Sequence, residues 1–159
     1  MLFKPDQPLC YRKRRWQGSV RPGDIVMYRF PLPAFDGEPA RPSFPCPCVI
    51  HDVTAHSGIH LITLICGTTG LKEQGPNLIL VASPQALILA GLTTPTRFDG
   101  SIRLTVSSHN QGFEAAANGS PIIGRLAGIE RDKFRNMRSR IQAGIDAAAQ
   151  AQAMRRLRP

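Results

Sequence analysis

The sequence contains no uninterrupted apolar run approaching the roughly 20 residues of a membrane-spanning helix, so a helical span is not expected. Its first residues, Met1-Leu2-Phe3-Lys4-Pro5-Asp6, lack a charged stretch followed by an apolar one, and with no export pattern there the expected compartment is the cytoplasm. Cysteine is sparse, 4 in 159 residues, and two of these stand in Cys46-Pro47-Cys48, too close for an easy mutual bridge. Reduced thiols are expected instead of a secreted disulfide framework. Acidic side chains are also short in supply.

The 11 Asp and Glu face 20 Lys and Arg, a formal net charge of +9. An acidic partner follows from that imbalance. Nucleic acid is the usual one, because each phosphate neutralised by Arg or Lys releases condensed counterions. The same charge also serves solubility, or docking to an acidic protein.

What is present reads as one mainly β (α+β) domain. Residues 1–22 form a polar, proline-punctuated arm with the block Arg12-Lys13-Arg14-Arg15 running into Trp16. A first strand begins out of Pro22-Gly23 and covers Asp24 to Phe30. Pro31, Pro33, Pro39, Pro42 and Pro45 with Gly37 exclude a helix interior or a central strand and predict a long surface loop. Cys48–Val53 and His60–Cys66, joined across His56-Ser57-Gly58, predict a hairpin whose near-continuous apolarity places it at the centre of a covered sheet.

Leu78–Val81 predicts a short strand, then Ser83-Pro84 caps a helical turn that Gly91 stops. Ile102, Leu104 and Val106 alternate with polar residues over 101–107, the period of a half-exposed strand. Residues 107–120 read as loop, and 122–126 as one more short strand. From about Ile129, the apolar residues Phe134, Met137, Ile141 and Ile145 recur at helical spacing. The chain thus divides into the arm 1–22, a domain 23–145 and a basic tail 146–159 expected to fray. A small barrel of five to six strands capped by the C-terminal helix is expected.

This order of features resembles the PemK/MazF family of bacterial toxin ribonucleases. The residues that carry the resemblance are Pro22-Gly23-Asp24-Ile25-Val26 in the first strand, Cys46-Pro47-Cys48-Val49-Ile50 in the second, Leu64-Ile65-Cys66-Gly67-Thr68 in the third, and Gly124-Arg125-Leu126 before the last helix. The likeness runs from about Pro22 to Ile141. It implies an SH3-like, MazF-like barrel, a homodimer, a cognate antitoxin protein, and metal-independent cleavage of single-stranded RNA that leaves a 2′,3′-cyclic phosphate.

Such chemistry needs a base for the ribose 2′-hydroxyl, a cation for the charge growing on phosphorus and a donor to a phosphate oxygen. The resemblance assigns the donor to Thr68, with Thr69 as the alternative register. The position of the family's second-strand arginine holds Cys46, and the nearest loop arginine is Arg41, so Thr68 and Arg41 are the candidate catalytic pair. The acidic-Gln pair common in the family's following strand is absent from Leu104-Thr105-Val106-Ser107. A non-catalytic nucleic-acid- or protein-binding module on the same barrel is the alternative.

Taken alone, Thr68-Thr69-Gly70 is also a plain β-turn signal. Arg12, Lys13, Arg14 and Arg15 beside Trp16 combine phosphate-seeking charge with a ring that stacks on unpaired bases, which favours single-stranded nucleic acid. An arm that wraps Trp16 against the barrel is the other reading. His109, beside Asn110 and Gln111, is the histidine best placed for polar work on RNA. On the last helix, Arg131, Arg135 and Arg138 flank the apolar stripe as ordinary solvated charge or as an extended basic surface. Cys46, Cys48, His51 and Cys66 include zinc-ligand types, but Cys-x-Cys is a poor knuckle spacing and no second Cys-x-x-Cys exists. Buried apolar thiols are expected there, with neither metal nor cofactor.

Overall fold

The computed structural model of the protein describes residues 16–29, 44–70 and 75–158. In chain order they form β1 (Asp24–Tyr28), β2 (Cys46–His56), β3 (Ile59–Thr69), β4 (Leu78–Val81), α1 (Pro84–Ala90), β5 (Thr96–Asp99), β6 (Leu104–Ser107), β7 (Ile122–Arg125) and α2 (Gly128–Arg156). The protein is mainly β with a C-terminal helix, and the antiparallel sheet curls into an open half-barrel. Its seven strands run β4-β5-β3-β2-β1-β7, with β6 paired to β3.

The hairpin β2–β3 is the spine of this sheet. Its turn places Ser57 at φ 51° and Gly58 at φ 77°, two left-handed residues in succession. That is the primed turn whose twist matches the flanking strands, and glycine at its second position carries no Cβ penalty. Both strands bury residues on both faces, as their unbroken apolarity predicts. On one face Ile25, Val49, Ile65, Ile79, Val81 and Phe98 meet Phe134, Met137 and Ile141 of α2 and Ala90 of α1. On the other, Val26, Tyr28, Cys48, Ile50, Ile62 and Leu64 meet Trp16 and Val20. Adjacent residues such as Ile25 and Val26 therefore serve opposite cores, the direct result of the two-residue side-chain period.

Register shifts between Ile50 and Asp52, so His51 is a bulge residue. The bulge turns both His51 and Asp52 toward α2, where the His51 ring meets Phe134 edge-on at 6.3 Å and Asp52 Oδ1 accepts from Arg138 Nη2 at 3.4 Å. Burial, then the charges of Arg138 and Arg103, lower the pKa of His51.

Several expectations are corrected. The sheet has seven strands because β5 exists. Its four residues, Thr96–Asp99, lie between Thr94-Pro95 and Asp99-Gly100, turn signals so close together that no period can be seen. The hairpin strands run to 11 residues each, because polar termini such as His56 and Thr68 stay in register once paired. Strand β6 starts at Leu104 and β1 ends at Tyr28, both shorter than the apolar patterns indicate. The alanine-rich tract is continuous helix through Arg156, in keeping with alanine's propensity. Ser83 caps α1 by accepting from the Ala86 N–H, and Gly91 ends it, as expected. Among the described residues no helix is long and apolar enough to cross a membrane.

Candidate functional site

Beyond Leu61–Leu64, where it pairs with β6, β3 changes partner and pairs with β5 through Gly67, Thr68 and Thr69. The change brings three strands close at Gly67. A Cβ there would lie 2.6 Å from Thr96 Cγ2 and 2.9 Å from both the Phe98 ring and the Pro47 carbonyl oxygen. Only glycine allows the approach, and it fixes the strand on either side of itself. Thr68 is thereby held exposed and opposite Arg97 of β5. The Arg97 Nε–H donates to Thr68 Oγ1 at 3.0 Å. A cation and a hydroxyl thus stand together at the strand end, two donor types able to hold a phosphate oxygen.

Two residues back along β3, on the same face, is Cys66. Its register partner on β2 is Cys48, and Cys46 follows two residues along on that face. The three sulfurs lie within 4.8 Å of one another. Cys46 and Cys66 approach to 3.1 Å, both half-buried, and Cys48 is 0% exposed. Hydrogen bonds from Cys46 and Cys48 draw the Cys66 thiol down to about 4. Cys46 moves up to about 11: its bond with Cys48 lowers it, but the bond with Cys66, burial and the Cys66 charge outweigh that. Cys48 is raised by its bonds to Cys46 and Cys66 and by burial.

Of the residues singled out from the sequence, Thr68 and Thr69 sit together at the end of β3. His109 lies just past Ser107, which pairs with Leu61 near the start of β3. At about 3.3 Å per residue, the interval from Leu61 to Thr68 is about 23 Å along the strand. The histidine is exposed, with Nδ1 3.5 Å from Gln17 Nε2. Trp16 is 7% exposed and packs on Phe113, ring centroids 4.9 Å apart. As placed, its faces are occupied by protein, and stacking on a base would require it to leave the core. Arg12, Lys13, Arg14, Arg15 and Arg41 lie outside the described residues.

Sequence reasoning missed Arg97. It stands in the strand hidden between turn signals, and its partnership with Thr68 exists only through the β3–β5 register. It also missed how tightly the thiols converge, because Cys66 is joined to Cys48 by cross-strand pairing and not by spacing.

The helix arginines do gather into a second basic region. Arg21, Arg125, Arg131, Arg135 and Arg138 line a cleft of about 350 Å³ around Asp24. Asp24 is 2% exposed, accepts the Arg21 backbone N–H at 2.9 Å and pairs with Arg125 Nε at 3.2 Å. Asp24 offsets one of these cations and Asp52, through Arg138, another, so the five arginines leave the cleft net positive.

Compared with protein-family models the chain matches none, and compared with the curated proteins it also matches none.

Proposed function

We propose that the protein is a PemK/MazF-like toxin that acts on single-stranded RNA at the open face around Thr68, its curled sheet being that family's SH3-like barrel. The observation that carries this reading is the 3.0 Å contact from Arg97 Nε to Thr68 Oγ1 on an exposed strand end. Arg97 takes the place the resemblance gives to an arginine of the second strand, where this chain has Cys46. It steadies the negative charge that builds on phosphorus, and the Thr68 hydroxyl donates to a non-bridging oxygen. The cleavage is metal-independent transesterification by the ribose 2′-hydroxyl. A homodimer and a cognate antitoxin that covers the basic face belong to the same reading. The net charge of +9 supports it through counterion release along the RNA backbone.

A second reading has its own observation. Along β3 the side chain next to Thr68 on this face is the thiol of Cys66, and among the described residues no histidine or carboxylate joins its cluster with Cys46 and Cys48 to serve as a general base. On that ground the same face binds RNA without cutting it.

The test is incubation of the folded protein with a long single-stranded RNA in the presence of EDTA. Cleavage predicts discrete fragments ending in cyclic phosphate, reduced by about 10²–10³ in rate in Thr68→Ala and in Arg97→Ala. An electrophoretic shift without fragments removes the enzyme and leaves the binding module. Neither fragments nor a salt-sensitive shift removes both. Arg41→Ala, run in parallel, separates the loop arginine from Arg97 as the working cation.

A further inference from the structure

We propose that Cys46, Cys48 and Cys66 form a binding site for one thiophilic d¹⁰ cation of the Zn²⁺ type, held by three thiolates with its fourth position open to a small exogenous ligand. The inference is independent of the RNA reading. It rests on placement: Cys46 and Cys48 point the same way from β2, Cys66 stands in register with Cys48 on β3, and the three Sγ atoms lie within 4.8 Å of one another. Zinc–sulfur bonds of about 2.3 Å in tetrahedral geometry put ligand sulfurs about 3.8 Å apart. The 3.1 Å separation of Cys46 Sγ and Cys66 Sγ opens to that value by a movement well under 1 Å, about the reach of a small side-chain rotation.

The supporting frame is stiff where a site needs it to be. Both strands are central in the sheet, and Ile50, Leu64 and Val49 around the cysteines are 0% exposed. A first coordination shell built on paired strands is positioned more accurately than one built on loops. Cys48 lies at the floor, while Cys46 and Cys66 at half exposure give the ion a path in. Among the described residues no carboxylate or imidazole joins the cluster, so three protein ligands and one open position define it. Thiolate-only donors select soft ions and reject Mg²⁺ and Ca²⁺. The ion ties the start of β2 to the part of β3 that precedes Thr68.

The experiment is titration of the reduced full chain with Co²⁺ as the spectroscopic probe, followed by Zn²⁺. One equivalent of Co²⁺ should produce sulfur-to-metal charge-transfer absorption with tetrahedral ligand-field bands, and one equivalent of Zn²⁺ should abolish both. Cys46→Ser and Cys66→Ser should each weaken binding at least about ten-fold. Because these two are half-exposed, they keep the question decidable even if the buried Cys48→Ser fails to fold. Cys10→Ser should leave the spectrum unchanged. Absence of the charge-transfer band at one equivalent, or a band that survives in the Cys46→Ser/Cys66→Ser double variant, overturns the proposal.

Discussion

The two faces of the sheet are made by the same strands and end in opposite conditions. On one face α2 lays Phe134, Met137 and Ile141 across the central strands, α1 closes the side, and the interior is apolar and buried. On the other, the cover among the described residues includes the turn that begins at Trp16 and the loop carrying Phe113. Thr68 stands exposed there, with Arg97 and the thiols of Cys46 and Cys66 half-buried beside it. The strands contribute alternating residues to each side and do not decide which side is closed. That decision belongs to the elements laid over them, and the site occupies the face opposite α2.

The largest effect expected on this contrast comes from Phe134→Ala, which opens a cavity beneath the helix. Phe134 is 2% exposed, and its truncation should lower unfolding free energy by about 3–5 kcal/mol in a urea titration, with RNA affinity of the folded fraction unchanged. Trp16→Ala tests the cover of the other face. Its ring packs on Phe113 in a tilted contact, and a loss of about 3 kcal/mol is expected; a loss near zero would mean that this face is closed by something other than the tryptophan.

Asp24→Ala comes next. It removes a buried acceptor from the Arg21 N–H and from Arg125, and about 1–3 kcal/mol should be lost on the same urea scale. Binding of polyanions to the arginine cleft should strengthen, since the offsetting charge is gone.

The pH dependence of stability sharpens the comparison further. His51 is buried against α2, and its pKa is lowered in the folded state by burial and by Arg138 and Arg103. Above its unfolded pKa of about 6.5 the ring is neutral in both states and contributes no slope. As pH falls below that value, the unfolded chain takes up a proton that the folded one resists, so stability declines until the folded pKa is passed. His51→Gln should flatten denaturation midpoints between pH 7.5 and the acid limb, by less than the wild-type decline if other groups share it. Smallest of all on stability are Thr68→Ala and Arg97→Ala. Thr68 is exposed and Arg97 half-buried, and changes within about 0.5 kcal/mol are expected while the RNA assay shows a large loss. A large stability loss in either would place the pair in the framework of the fold and not in its site.

Much of the framework was legible before the structure. The hairpin strands, the capped turn at Ser83 and the helical stripe through Phe134 and Ile141 follow from local period, turn chemistry and capping, each confined to a few neighbouring residues. Strand β5 was not legible, because four residues between two turns carry no period to detect. The site was half legible. Thr68 falls on a recognisable strand end, but its cation was sought in the loop at Arg41, and the arginine that touches it comes from the hidden strand.

By itself, then, the sequence determined a basic chain, rich in paired apolar strands and closed by one amphipathic helix, because composition and period are local properties. Only the tertiary structure decided that Arg97 meets Thr68 and that Cys66 meets Cys46 and Cys48. Those meetings depend on strand register, and register is set by packing over both faces at once, where a one-residue slip would turn every side chain to the opposite side.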